Sequence, residues 1–266
     1  MLNRLSRPIS RPKALAISAV PFVALLAVAS VSPLPFAVAQ PGTTTDVLGK
    51  NKGKPVITVK GAPTRETDGQ LRMTTILATG PDADVRLGEV LDGWFRDDRA
   101  VMPRDAVYPS GESTKEIEQH NAAEMTKSQN SAVQAALNHL DKSPDDVQVD
   151  LELADVGGPS AGLLFSLGIV DKLDGNGSGG DLTGGRTIAG TGTITGSGKV
   201  GPVGGVALKT QAARRDGATV FLVPKAECAD AEAHRPEGLR LIPVTTLAAT
   251  IDSLRALEKG AKVPSC

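Results

Sequence analysis

The sequence predicts a mixed α/β fold, and three observations carry that expectation. From Val147 onward, strand-like stretches trade places with segments of helical spacing, the pattern of a sheet layered with helices. Hydrophobic residues make up 40% of the chain but include only one Trp, one Tyr and five Phe, so the core must be built from Val, Leu, Ile and Ala. The 29 Gly and 18 Pro supply many turns without any periodic repeat.

The first residues stand apart. Arg4, Arg7, Arg11 and Lys13 precede an uncharged stretch from Ala14 to Thr45, whose apolar heart runs from Ala14 to Val31. That length suits a secretory segment at its upper end, or a membrane helix near the minimum of ~17 residues. Ala37-Val38-Ala39 offers a small-x-small cleavage site just before Gln40-Pro41. Basic residues on the N-terminal side keep that end cytoplasmic. Residues 1–40 are therefore expected to be a signal peptide or an N-terminal membrane anchor. The remainder would then be extracellular, held at the cell membrane by a single anchor, or secreted. Cys228 and Cys266 both fall in the exported part, where an isolated pair reads as a disulfide candidate, with two free thiols as the alternative.

Elements follow in order. Val56 to Lys60 and Leu71 to Leu77 read as strands, and in the second Leu71, Met73, Thr75 and Leu77 share one face. Leu87 to Phe95 is a short helix. Ser113 and Glu116 form a Ser-x-x-Glu capping box that opens a long helix to about Leu140. Lys142-Ser143-Pro144-Asp145-Asp146 breaks it, which divides the chain into a β-and-helix N-terminal region, 41–143, and a second domain, 144–266. Val147, Val149, Leu151 and Leu153 alternate with polar residues as a half-buried strand. A helix then runs to Leu173, and a Gly-rich loop (residues 175–185) leads to a strand from Thr187 to Thr195. A helix spans about Val206 to Asp216, with Gly217 as its stop. A strand (Thr219 to Val223), a helix after Pro224, a strand (Leu239 to Ile242) and a helix (Thr245 to Glu258) complete the chain.

Several functions fall away on composition and motif. A net charge of −1 with no basic cluster argues against a nucleic-acid partner. No His-Glu-x-x-His occurs and His120, His139 and His234 are scattered, so no metal site is expected. Gly-x4-Gly-Lys fails at Thr193, and Lys199 is followed by Val200 rather than Ser or Thr, so there is no phosphate loop and no cofactor is expected.

Gly158-Pro159-Ser160-Ala161-Gly162 remains. A nucleophilic serine needs a tight turn that exposes its oxygen, small neighbours that admit a carbonyl, and backbone amides that hold an oxyanion. A strand, a glycine-proline turn and a helix N-terminus with its partial positive charge supply these. A turn whose serine merely caps a helix would carry the same five residues. Two bases are available. The pentapeptide also fits the Gly-x-Ser-x-Gly elbow of esterase-like hydrolases, with His234 as base and Asp216 or Asp230 behind it. The other base is Lys209, on the first turns of a helix among small apolar residues, where loss of water would lower its pKa toward ~7–8.

Three ordered motifs carry a resemblance. Gly157-Gly158-Pro159-Ser160-Ala161-Gly162 is followed by Ile188-Ala189-Gly190-Thr191-Gly192. Val200-Gly201-Pro202-Val203-Gly204-Gly205 comes next, with Lys209 four residues on, and Phe221-Leu222-Val223-Pro224 continues the series. Over about Val147 to Ala256 this resembles the proteolytic domain of Lon proteases. The resemblance implies a Lon-type α/β proteolytic fold and a Ser–Lys dyad of Ser160 and Lys209. Thr191 and Gly158 would be supporting residues, polypeptides the substrates, and a hexameric ring the assembly.

The N-terminal region is similar to the membrane-anchored Lon-like peptidases of Gram-positive bacteria at Pro41-Gly42, the 71–77 strand, Trp94 and Met125-x-x-Ser128-Gln129. Their usual PDZ domain has no counterpart between residues 140 and 147. Classical members often carry an Asp just ahead of the serine motif. Gly157-Gly158 stand here instead, leaving Asp155 as the candidate for a third carboxylate. The implied function is a serine endopeptidase for exported or membrane-proximal proteins that does not need ATP in this chain. A non-catalytic exported scaffold of the same family is the alternative from another class.

Overall fold

The computed structural model describes residues 11–108, 113–153 and 158–266, with the side chains of 11–16 and Ala106 excepted. Asp155, Gly157, Arg4 and Arg7 lie outside the described residues. In chain order the elements are α1 (Arg11–Val31), β1 (Phe36–Asp46), β2 (Lys50–Asn51), β3 (Lys54–Pro55), β4 (Ile57–Lys60) and β5 (Gln70–Ala78). Next come α2 (Leu87–Trp94), β6 (Ala100–Pro103), α3 (Arg104–Val107), α4 (Thr114–His139), β7 (Gln148–Leu151) and α5 (Gly162–Leu173). The chain ends with β8 (Thr187–Gly190), β9 (Thr193–Ile194), β10 (Val200–Gly201), α6 (Val206–Arg215), β11 (Val220–Pro224), α7 (Cys228–Ala233), β12 (Arg240–Val244) and α8 (Leu247–Glu258).

Six strands form one sheet in the order β12-β11-β8-β5-β1-β6. The first four run parallel to one another, whereas β1 runs antiparallel to both β5 and β6. β11 explains the packing. Its residues are apolar without interruption because both faces are covered, as parallel strands require. Val220 and Leu222 belong to the larger core beneath α4, α5 and α8, while Phe221 and Val223 join Val206, Ala213 and Ala231 in the core under α6 and α7. The result is a sheet between two helical layers, with strand and helix alternating as the apolar pattern requires.

The Ser113 side chain accepts the Glu116 amide and the Glu116 carboxylate accepts the Ser113 amide, so the capping box opens α4 as expected. The 187–195 strand is observed in two pieces: Thr191 and Gly192 leave the sheet, and β9 then pairs with β10. The reason lies in the site described below, where both residues bind the serine turn.

The N-terminal region departs most from the sequence expectation. Thr43 to Thr45, counted with the leader stretch, belong to β1, as do Ala37, Val38 and Ala39 of the expected cleavage site. Ala37 and Ala39 are buried and the 36–39 segment pairs with β6. No period-2 apolar pattern marks Gln40 to Asp46; tertiary pairing with β5 makes it a strand. A division at residue 40 therefore passes through a strand. One at 143 separates elements that share sheets, since β1, β5 and β6 lie beside β8 and β4 pairs with β7. Ahead of β1, α1 carries exposed apolar side chains from Ile17 to Val31. Among the described residues no helix is long and apolar enough to cross a membrane. Cys228 and Cys266 are joined in a disulfide that ties the C-terminus to the start of α7.

Candidate active site

The serine motif sits between β7 and α5. Gly158 has φ +89°, a left-handed conformation that glycine adopts without strain, and it turns the chain into a single 3-10 turn over Pro159–Ala161. Ser160 is half-buried in that turn, directly ahead of α5. Two neighbours hold the turn in place. From α4, the Asn121 carbonyl accepts the Gly158 amide at 3.1 Å and the Ser128 hydroxyl donates to the Pro159 carbonyl at 3.0 Å. From the segment after β8, Gly192 N–H donates to the Ser160 carbonyl at 2.9 Å, and the Gly192 carbonyl accepts the Leu163 amide at 3.1 Å. A cavity of about 160 Å³ opens beside the turn, lined by Ser128, Ser131, Pro159, Thr193, Ile194 and Lys127.

Lys209 arrives from the opposite layer. It lies in α6, which packs on β1, β5 and β8, and its side chain is only 3% exposed. Its amine donates to Thr191 Oγ1 at 3.1 Å, and Thr191 Oγ1 donates in turn to the Ser160 carbonyl at 3.3 Å. Thr191 is wholly buried, and its own amide is fixed to the Leu222 carbonyl of β11 at 3.1 Å. One threonine hydroxyl thus links the lysine of one helical layer to the serine turn on the other. Removal from water pushes the Lys209 pKa down from 10.5 to about 8, against a smaller opposing pull from the Glu227 carboxylate. Glu227 accepts the Val203 amide at 3.0 Å, and burial raises its own pKa.

The structure therefore gathers Ser160, Gly158, Thr191 and Lys209, which lie up to about fifty residues apart in the sequence. It does not gather the esterase set. His234 is exposed at the end of α7, which packs against α6, β11 and β12, whereas the Ser160 turn packs against α4, α5, β5 and β9. Asp230 is exposed, and Asp216 is engaged by Arg215 and the Thr44 hydroxyl. Among the described residues no group of His, Cys, Asp and Glu could hold a metal ion.

Three contributors were not legible as site residues. Asn121 acts through its backbone, which no side-chain pattern announces. Ser128 stood in a noted motif and falls on the buried face of α4 three residues after Met125. A polar group at such a position requires a partner, which was the available signal. Glu227 had no signal, since only the fold brings it near α6.

Comparison with known proteins gives the family. The family described as Lon protease (S16) C-terminal proteolytic domain matches residues 111–255, more than half of the chain. Over 95 residues the chain is 43% identical to a mitochondrial Lon protease homolog of Eremothecium gossypii, an alignment spanning 33% of this chain and 8% of that protein. Over 93 residues it is 37% identical to a Lon protease of Chloroflexus aggregans, spanning 34% of this chain and 10% of that protein. The matched segment is thus a tenth or less of either relative's length. With its serine turn, threonine and buried lysine arrayed as described, the chain belongs to the Lon protease (S16) C-terminal proteolytic domain family.

Proposed function

We propose that this chain is a serine endopeptidase in which Ser160 is the nucleophile and Lys209 the general base. The observation that carries the reading is the buried Lys209 amine, hydrogen-bonded through Thr191 to the Ser160 turn. An ordinary helix lysine would reach solvent; this one is enclosed and has a pKa of about 8, so roughly a tenth of it is neutral at pH 7. The neutral amine takes the Ser160 hydroxyl proton as the oxygen attacks the peptide carbonyl. Backbone amides where the turn meets α5 face the developing oxyanion, aided by the positive end of the helix. The protonated Lys209 then gives its proton to the leaving amine. Water, deprotonated by the same lysine, releases the acyl group from Ser160. Thr191 orients the amine in both halves.

Substrates of this reading are polypeptides at or beyond the membrane, cleaved without ATP, and the working assembly is a hexameric ring. Support for a retained N-terminal anchor comes from β1. Cleavage after Ala39 would remove the residues that pair with β6, and α1 precedes that strand by only a few residues.

The test is digestion of casein and a peptide library by the purified protein, with and without ATP. Wild type should cut in both conditions, and Ser160→Ala and Lys209→Ala should each abolish cleavage while leaving the circular dichroism spectrum unchanged. Equal activity in all three proteins would overturn the dyad. Absence of cleavage by a folded wild type on every substrate would favour the non-catalytic relative. Mass measurement of the native particle tests the ring.

A further inference from the structure

The 3-10 turn over Lys225–Glu227 joins β11 to α7 and ends at a disulfide-bonded residue, Cys228. Its Glu227 carboxylate accepts the Val203 amide at 3.0 Å. Val203 lies two residues before Gly205, whose carbonyl accepts the Lys209 amide at 3.0 Å in the first turn of α6. Glu227 therefore grips the loop from which the lysine's helix starts. The same strand that leads into this turn, β11, holds Thr191 through the Leu222 carbonyl. Both partners of the Lys209–Thr191 hydrogen bond are thus referenced to β11 and the turn that follows it.

Charge sharpens the point. Asp46 is the acidic residue of β1 and accepts the Leu48 and Leu71 amides; Arg72, the basic residue of β5, binds Thr44 and Gln70. β8 and β11 carry no ionisable side chain, and Asp230 and Glu232 of α7 are exposed, as is Lys225 of the turn. Arg214 and Arg215 occupy the far end of α6. Among the described residues, Glu227 is the charge that acts on the Lys209 amine, favouring its protonated form.

We infer that Glu227, fixed beside the Cys228–Cys266 disulfide, is a positioning residue for Lys209: it clamps the loop that starts α6 and holds a negative charge toward the buried amine. The disulfide keeps this clamp in place, so the redox state of the cysteines reaches the site through Glu227. This rests on the Ser160–Lys209 reading.

The pH profile of kcat/KM for a fluorogenic peptide, measured on the full chain, tests it. Glu227→Gln can still accept the Val203 amide but carries no charge. Its acid limb should move to lower pH by roughly half a unit to one unit, as loss of a favourable charge beside an amine requires. Glu227→Ala should show the same shift together with a lower kcat, because the clamp is lost as well. Glu227→Asp, which keeps the charge on a shorter arm, should stay closer to wild type on the pH axis. Cys266→Ser should move the limb in the direction of Glu227→Gln. An active Glu227→Gln whose limb coincides with wild type sinks the proposal. A wild-type limb in Cys266→Ser overturns the disulfide's part in it. If instead Lys209→Ala remains active, the dyad reading has failed and the clamp has no object.

Discussion

At the scale of single residues, Lys209 sets the pH behaviour. Its pKa falls from 10.5 in the open chain to about 8 in the fold because burial penalises the ammonium form. Between those values the unfolded chain binds more protons than the folded one, so stability rises with pH across that window. At pH 7 both states are mostly protonated and the fold carries nearly the whole penalty, on the order of 3 kcal/mol from ~1.4 kcal/mol per unit. Lys209→Met is therefore expected to abolish cleavage yet raise the urea midpoint at pH 7, with the gain shrinking as pH climbs past about 8. Equal gains at pH 6 and pH 10 would mean the amine is not enclosed as described. For activity the sign is the same: kcat/KM should rise with pH through about 8 as Lys209 becomes neutral.

At the scale of elements, the meeting of α4 with the serine turn and α5 decides whether Ser160 is aimed. A Cβ on Gly162 would stand 2.9 Å from both Ser128 Oγ and Ile194 Cγ2, and 3.2 Å from the Ile194 amide nitrogen. The first residue of α5 has no side chain because α4 and β9 occupy that space. Gly162→Ala must push them away or tilt α5, and the turn is expected to lose alignment before the domain loses its fold. Ser128→Ala removes the donor to the Pro159 carbonyl at a cost of about 1 kcal/mol. Both variants should lower kcat by more than tenfold while shifting the thermal midpoint by only a few degrees, measured by peptide hydrolysis beside calorimetry. A normal kcat in Ser128→Ala would show that the turn holds itself.

At the scale of the molecule, one sheet spans both halves of the chain, and a disulfide closes its C-terminal end. The cysteines are separated by 38 residues, and a loop of that length stabilises by ~4 kcal/mol through restriction of the unfolded chain. Cys266→Ser should lower the stability read from urea unfolding by up to that amount. At the other end, Phe36 to Ala39 are structural, because β6 pairs with them at the sheet edge. Mass spectrometry of the protein isolated from its native cells is expected to find an N-terminus upstream of Phe36. One at Gln40 would mean that β6 holds without those four partners.

Read alone, the sequence determined the alternation of strands and helices after residue 147, the long capped helix, the disulfide candidate and the identity of the serine and lysine motifs. These rest on local physics: period-2 and period-3.6 apolar patterns, a capping box, and glycines at a turn that exposes an oxygen. It could not place β1, because residues 40–46 lack an apolar alternation and become a strand only by pairing with β5. Nor could it show that Thr191 links Lys209 to the Ser160 turn, that Ser128 ties the turn to α4, or that Glu227 lies near α6. Those contacts join residues roughly 18 to 31 positions apart, and a lysine's pKa depends on the water that distant segments exclude. Only the folded packing supplies that exclusion.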